Sequence, residues 1–468
     1  MHPAVQSSGA AGSVTPPARW AFAPWVALAV VLGAGVGLVV PGTQGAVLPV
    51  VAGIGALVLA GAAVLRDVRV GLYLILLALP LETAGRLITE PVVVTAYQLA
   101  LIFTLIAWGA QSMRGAGIQR FEFTPMHLGV AMLVVAAMWS LPASLAPSET
   151  LIAVVRLAFL ALFFALFTTH VRDESTMERV LAVFVITAVG SASLALLQFR
   201  FPELNTGVVR IVGVAGEKIA RPGAFFEDPN YLAGMLSVAV IVATARMMHA
   251  RSLSHALPWL AALAVTGAGV FVTLSRTGMV ALALGVVMCV LTAPRARRPG
   301  FVALLLVVAI VAFSFAPGVF VERIKSTTDV EGDSSIATRY HMYGSTVEMI
   351  GDYWVFGTGL AAYDQAYPAY MRSGALAITR PHQIPLALPA ETGVVGLLAE
   401  LVIVLSVVGI LVRRRGRAWT PWESVAIAGV LTLLVQTLFQ YYLYFEYLWL
   451  FLALTVVADR LARTTEEV

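Results

Sequence analysis

Apolar runs of about 20 residues, each closed by a short polar break, repeat along nearly the whole chain. Coiled as α-helix, a run of that length matches the hydrocarbon thickness of a bilayer. The runs fall at 22–40, 46–65, 70–89, 92–110, 126–143, 150–169, 177–199, 229–249, 256–274, 277–293, 300–316, 390–412, 422–438 and 441–459, about fourteen in all. The third is the weakest because Pro80, Glu82 and Arg86 interrupt it, and merging or dropping a pair leaves about twelve. Two polar breaks are long, 200–228 and 317–389. The pattern predicts an all-α polytopic membrane protein of about 12–14 transmembrane helices, with a long extracytoplasmic loop that contains short helices.

Composition agrees, with 59% hydrophobic and 12% charged residues. No soluble domain of this length hides that much apolar surface. Cys289, the single cysteine, falls within an apolar run, which excludes a disulfide framework and a paired-thiol metal site. The net charge of +4 comes from arginines beside the spans and is an orientation signal; it carries little evidence for nucleic acid. Residues 1–21 are Pro/Ser/Gly-rich and predicted to be disordered. No small-residue cleavage site follows the run 22–40, so it reads as a retained anchor and not as a signal peptide.

The arginines orient the chain. With the N-terminus inside, the inner connections hold Arg19, Arg66, Arg69, Arg114, Arg120, Arg172, Arg179, Arg246, Arg251, Arg295, Arg297, Arg298, Arg413, Arg414, Arg415, Arg417, Arg460 and Arg463. That is eighteen of the thirty Lys and Arg residues. Short outer connections hold only Arg86 and Arg276, and Arg156 alone lies inside a span. Both termini are therefore expected in the cytoplasm and both long loops outside. The expected layout is a cytoplasmic N-terminus (1–21), a transmembrane bundle (22–316, with outer loop 200–228), a large extracytoplasmic loop (317–389), C-terminal transmembrane helices (390–459) and a cytoplasmic tail (460–468). No convincing internal repeat is present, which weakens an inverted-repeat transporter.

Three outward segments carry candidate chemistry. In R-I-V-G-V-A-G-E-K-I-A-R-P-G-A-F-F-E-D-P-N (210–230), Asp228 or Asn230 suits a helix cap and Pro229 the first turn. The resulting helix N-terminus seats phosphate oxygens, and Lys218 and Arg221 lie just upstream to complete the seat. The competing reading is a well-capped helix with Arg221 paired to Glu217, Glu227 or Asp228. In T-L-S-R-T-G (273–278), Arg276 stands at the tip of a tight turn, either as a functional cation or snorkelling to lipid headgroups. In the long loop, 337–350 has a helical amphipathic pattern, F-G-T-G-L (356–360) is a turn, and the loop closes at T-R-P-H-Q. There His382 is either an inert loop residue or a proton acceptor near neutral pH, with Glu391 near the start of the next span. An anion clamp plus a base suits group transfer from a lipid-linked phosphate to a hydroxyl. No His/Cys cluster has metal spacing, and no Walker loop or D-x-D pair stands out, so neither cofactor nor metal is expected.

These segments resemble the O-antigen ligase / O-antigen polymerase superfamily of bacterial membrane glycosyltransferases. R-P-G-A-F-F-E-D-P-N-Y-L-A resembles its Arg-x-x-Gly-x-Phe-x-x-Pro-Asn-x-x-Ala element, and T-L-S-R-T-G-M its Ser-Arg-x-Gly turn. P-H-Q-I-P-L-A-L-P-A-E-T-G-V-V-G-L resembles its His-Asn-x-x-Leu…Glu-x-Gly-x-x-Gly element, with Gln383 where Asn is usual. R-Y-H-M-Y…F-G-T-G-L also fits the family's loop. The likeness covers roughly residues 190–440.

The resemblance implies transfer of a glycan from undecaprenyl pyrophosphate to an acceptor hydroxyl, without metal or nucleotide, at the bacterial inner membrane on its periplasmic side. It implies that Arg221 and Arg276 bind the pyrophosphate, with Arg339 and Lys218 as further candidates. His382 is then the base, and Asn230 and Glu391 play supporting parts. Inversion at the anomeric carbon is expected. The acceptor implied is lipid A-core or another surface glycan. A polymerase joining repeat units and a protein O-glycosylating ligase remain open. A transporter or lipid flippase is the reading from another class, with Arg156 and Glu400 as its mid-membrane candidates.

Overall fold

The computed structural model describes residues 60–81, 86–88, 94–115, 121–204, 210–214, 217–250, 252–303, 305–306, 334–371 and 381–466. The N-terminal segment 1–21, the expected spans 22–40 and most of 46–65, and most of 300–316 lie outside the described residues. The helices are α1 (Val68–Ala78), α2 (Ala96–Met113), α3 (Pro125–Ser140), α4 (Pro147–His170), α5 (Glu174–Arg200), α6 (Pro229–His249), α7 (Leu253–Val272), α8 (Arg276–Thr292), α9 (Ser334–Asp352), α10 (Tyr363–Tyr370), α11 (Ala387–Arg413), α12 (Pro421–Thr437) and α13 (Glu446–Glu466). The protein is an all-α polytopic membrane protein. Among the described residues six helices are long and apolar enough to cross a membrane: Pro125–Ala143, α4, α5, α6, α7 and α11. Helices α1 and α8 are apolar but shorter.

One expectation needs correction. The run 70–89 is not one helix. Helix α1 stops at Ala78, and β1 (Arg86–Ile88) then pairs antiparallel with β2 (Val94–Thr95). Pro80 has no amide hydrogen to continue the helix, which accounts for the stop. Within the break at 200–228, β3 (Arg210–Val214) and β4 (Glu217–Arg221) form an antiparallel hairpin in register from Arg210↔Arg221 to Val214↔Glu217.

Helix α6 is the centre of the bundle. Buried residues fill 83% of its apolar window, against 28% for α7 and for α11. It packs on α7, α8, α12 and α5, while α11 packs on α3 and α13 on α4 and α12. The outward faces carry exposed Ile106, Ile152, Ile186, Leu405 and Val412, which need an apolar surrounding.

One end of the bundle is rich in arginine pairs. Arg246 of α6 meets Glu178 of α5 at 2.5 Å, Arg413 of α11 meets Asp459 of α13 at 3.3 Å, and Arg414 pairs with buried Glu423 of α12. Arg460 donates to the last carbonyls of α4, Thr168 (3.0 Å) and Val171 (2.6 Å). The sequence motifs gather at the opposite end.

Candidate functional site

The first motif begins where β4 ends. After Arg221, the chain turns through Gly223 and Ala224, with the amide of Phe226 donating to the Gly223 carbonyl at 2.8 Å. Ala224 adopts a left-handed φ of 49° and is held there by Gln198 at the end of α5, whose Oε1 accepts from the Ala224 amide at 2.8 Å. Asp228 then caps α6 by accepting from the Asn230 amide at 2.8 Å, and Pro229 opens the helix. The cap is Asp228, which frees the side chain of Asn230 for another task. Asn230 Oδ1 accepts from Arg221 Nη2 at 2.9 Å and from Ser275 Oγ at 2.9 Å. Two donors fill the two lone pairs of that oxygen and fix the amide.

The second motif completes the same cluster. Arg221 Nε donates to the Thr273 carbonyl at 2.7 Å, so one guanidinium bridges the end of α7 and the start of α6. Leu274 turns the chain with φ 54°, and Ser275 caps α8 by accepting from the Gly278 amide at 3.2 Å. Gly278 is there for space: a Cβ would lie 2.9 Å from that of Ala233 on α6. Arg276 is the first residue of α8. The N-termini of α6 and α8 thus stand side by side, tied by the Ser275–Asn230 bond, with Arg221 and Arg276 beside them. Helix N-terminal amides and guanidiniums are chemically suited to an anionic group.

The third motif is an interlock between the long loop and α11. The helical pattern at 337–350 forms α9, which packs with α10 around Met342, Met349, Tyr363 and Tyr367. Helix α11 is broken at Gly393 (φ 65°, ψ −157°), a conformation essentially restricted to glycine. Into the break fits the F-G-T-G-L turn. The amides of Thr358 and Gly359 donate to the carbonyls of Ala390 (2.9 Å) and Glu391 (3.0 Å), and Val394 N–H donates to Trp354 O at 2.9 Å. The same turn is tied to the bundle through Leu145 N–H to Thr358 O at 2.9 Å and Leu360 N–H to Ser140 Oγ at 3.1 Å. His382 lies in the short non-helical stretch just before α11, half-buried. Its neighbour Gln383 is buried, and Oε1 of that side chain accepts from the Leu386 amide at 2.6 Å.

A fourth element, L-F-Q-Y-Y-L-Y-F at 438–445, joins the other three. Most of this connector between α12 and α13 was expected within the last span, 441–459, whereas the helix starts only at Glu446. The Thr437 carbonyl just before it accepts from the Ile384 amide at 2.9 Å, two residues beyond His382. The Leu438 carbonyl accepts from Tyr343 of α9 at 3.1 Å. Tyr441 donates through its hydroxyl to Glu391 Oε2 and accepts at its carbonyl from Tyr231 of α6 at 3.2 Å. Tyr442 donates to the Asn230 carbonyl at 2.7 Å. Its hydroxyl also lies 2.9 Å from the Gln436 side-chain oxygen, and one proton cannot serve both. With the Gln436 amide turned so that Nε2 donates, Tyr442 and the otherwise unsatisfied Gln436 nitrogen are both paired. The available signal was composition: five aromatic residues in seven, from Phe439 to Phe445, at a junction between apolar helices.

The structure therefore brings together Arg221, Asn230 and the turn bearing Arg276, and ties to them the segment of His382 and the carboxyl of Glu391. Arg339 is half-buried early in α9, one turn before Tyr343. Lys218 lies on β4, with its side chain outside the described residues. Among the described residues, no group of three or more His, Cys, Asp or Glu could hold a metal ion. The described non-glycine residues with positive φ are Ala224, Leu274 and Ala361, one in each of the three motif segments. Such conformations cost free energy and persist where surrounding structure holds them, and they cluster at functional sites.

Residues 260–401 match the family model described as O-antigen ligase, which supports the O-antigen ligase / O-antigen polymerase superfamily. The match spans α7, α8, the long loop and the first part of α11; Arg221 and the 438–445 connector lie outside it. A comparison with curated proteins finds no match.

Proposed function

We propose that the protein transfers a glycan from undecaprenyl pyrophosphate to an acceptor hydroxyl, as an O-antigen ligase, on the periplasmic side of the inner membrane. The observation that carries this reading is the joining of the Arg221–Asn230–Ser275 cluster and the His382 segment through one connector at one end of the bundle. The arginine-rich opposite end supports a cytoplasmic placement for that face.

In the reaction, His382 takes the acceptor's hydroxyl proton as that oxygen attacks the anomeric carbon. The bond from this carbon to the pyrophosphate oxygen breaks, and the leaving group departs with the electron pair. Arg221, Arg276 and the paired helix N-termini meet the growing negative charge in a site of low dielectric. Attack from the face opposite the leaving group inverts the anomeric carbon. Asn230 holds Arg221 and Ser275 in register. Lys218 and Arg339 are further contacts for the pyrophosphate or the glycan.

The test is incubation of purified protein with lipid-linked glycan and either lipid A-core or a second lipid-linked repeat unit. Transfer to lipid A-core supports the ligase. Chain extension on the lipid carrier alone would instead make it a polymerase, and no glycan transfer at all would refute both.

A further inference from the structure

The Glu391 carboxyl has an unusual position for a group that sequence alone assigns only a supporting part. It is 1% exposed and touches three separate elements. It belongs to α11 just before the break, it is bonded by the backbone amides of Ala361 and Tyr363 at the entry to α10, and it accepts from the Tyr441 hydroxyl. Ala361 is one of the residues with left-handed φ (67°), so the backbone is bent at the point where it addresses this carboxyl. In the bond to Glu391 the Tyr441 hydroxyl is the donor and the carboxyl oxygen the acceptor. The next residue, Tyr442, donates to the Asn230 carbonyl, and Asn230 Oδ1 holds both Arg221 and Ser275. Loop, α11, connector, α6 and the turn before α8 are thereby linked in a short relay of hydrogen bonds.

We propose that Tyr441 and Glu391 are positioning residues for the transfer, coupling the loop and its histidine segment to the Arg221 anion seat. The inference rests on the reading of His382 as base and Arg221 as anion ligand. Neither Tyr441 nor Glu391 has to touch a reacting atom. Their task is to hold two halves of a site, contributed by segments far apart in sequence, at a fixed separation. A displacement of about 1 Å between reacting groups costs on the order of a hundredfold in rate.

The test compares Tyr441→Phe, Glu391→Leu and the double variant with His382→Ala and Arg221→Lys, all purified and normalised to folded protein. Tyr441→Phe removes one hydroxyl and should lower kcat for glycan transfer roughly 10–100-fold, with the KM for lipid-linked donor within about twofold of wild type. Arg221→Lys should instead weaken the donor's binding. The double variant should be no worse than the poorer single, because both break one tie. Glu391→Leu, which keeps the volume and removes the acceptor, provides the same readout if Tyr441→Phe does not fold. A wild-type kcat in Tyr441→Phe or Glu391→Leu, or additive losses in the double variant, would overturn the proposal while leaving the reading of His382 intact. Transfer by His382→Ala at the wild-type rate would overturn that reading, and this proposal with it.

Discussion

Gly393→Ala probes the interlock that fixes the long loop on the bundle. The glycine has φ 65° and ψ −157°, and an added Cβ would lie 2.5 Å from the Val355 carbonyl carbon and 2.9 Å from the Phe356 nitrogen. Both are backbone atoms, so no side chain can swing away. Either the alanine adopts the strained conformation, at about 1–3 kcal/mol, or the turn lifts off α11. Lifting gives up three backbone hydrogen bonds, from Thr358, Gly359 and Val394, each worth about 0.5–1.5 kcal/mol net. The docked state should lose about 2–4 kcal/mol, which raises the undocked population roughly 30–1,000-fold. Hydrogen exchange over α9 and α10 should quicken accordingly and glycan transfer should fall, while helix content of the bundle holds. The control is Gly351→Ala in α9, where nothing lies within 4 Å of an added Cβ. It should be neutral or stabilising by up to about 1 kcal/mol. Wild-type exchange and transfer in Gly393→Ala would refute the interlock.

Other expectations follow from single contacts. Arg221→Lys loses the fork that reaches both the Thr273 carbonyl and Asn230, and donor affinity measured by titration with polyprenyl pyrophosphate should drop about 10–100-fold; unchanged affinity would contradict the clamp. Ala361→Gly relieves a left-handed backbone costing about 1 kcal/mol and should leave the unfolding midpoint unchanged or slightly raised; a marked fall would show that the Ala361 backbone is not strained as described. Tyr370 is pushed up to about 12 by its hydrogen bond to Asp352, at 2.6 Å. Its folded pKa exceeds the unfolded value of about 10, so its stabilisation of the loop is complete below about pH 10 and is lost as pH rises through about 12. Asp352→Asn should bring its phenolate absorbance step back toward pH 10, and an unmoved step would remove Asp352 as the cause.

Much of the fold was legible because its causes are local. Apolar runs gave α3 through α8 and α11 close to their observed limits, and D-P-N gave the start of α6 from the cap chemistry of Asp228 and Pro229 alone. Pro80 flagged the weak third run, but the β1–β2 pairing that replaces its second half depends on contacts between segments and has no strong local signature. The hairpin at 210–221 has a local signal in the alternation of R-I-V-G-V and E-K-I-A-R, two runs too short to stand out beside the apolar spans. In the candidate site, the sequence pointed to Arg221, Arg276 and His382 through their chemistry. It did not reveal Tyr441 or Tyr442. A tyrosine beside a membrane helix is an ordinary interfacial residue by composition, and only the fold shows that these two face Glu391 and Asn230.

The central claim is that His382 is the base of a lipid-linked glycan transfer seated on Arg221 and Arg276. The most direct measurement is the single-turnover rate of transfer from undecaprenyl-pyrophosphate glycan to acceptor by purified His382→Ala, with donor binding measured in parallel. Loss of a general base costs about 10²–10⁴-fold. The predicted result is a rate lower by that factor with donor affinity preserved; a wild-type rate, or a loss explained wholly by weakened donor binding, would contradict it.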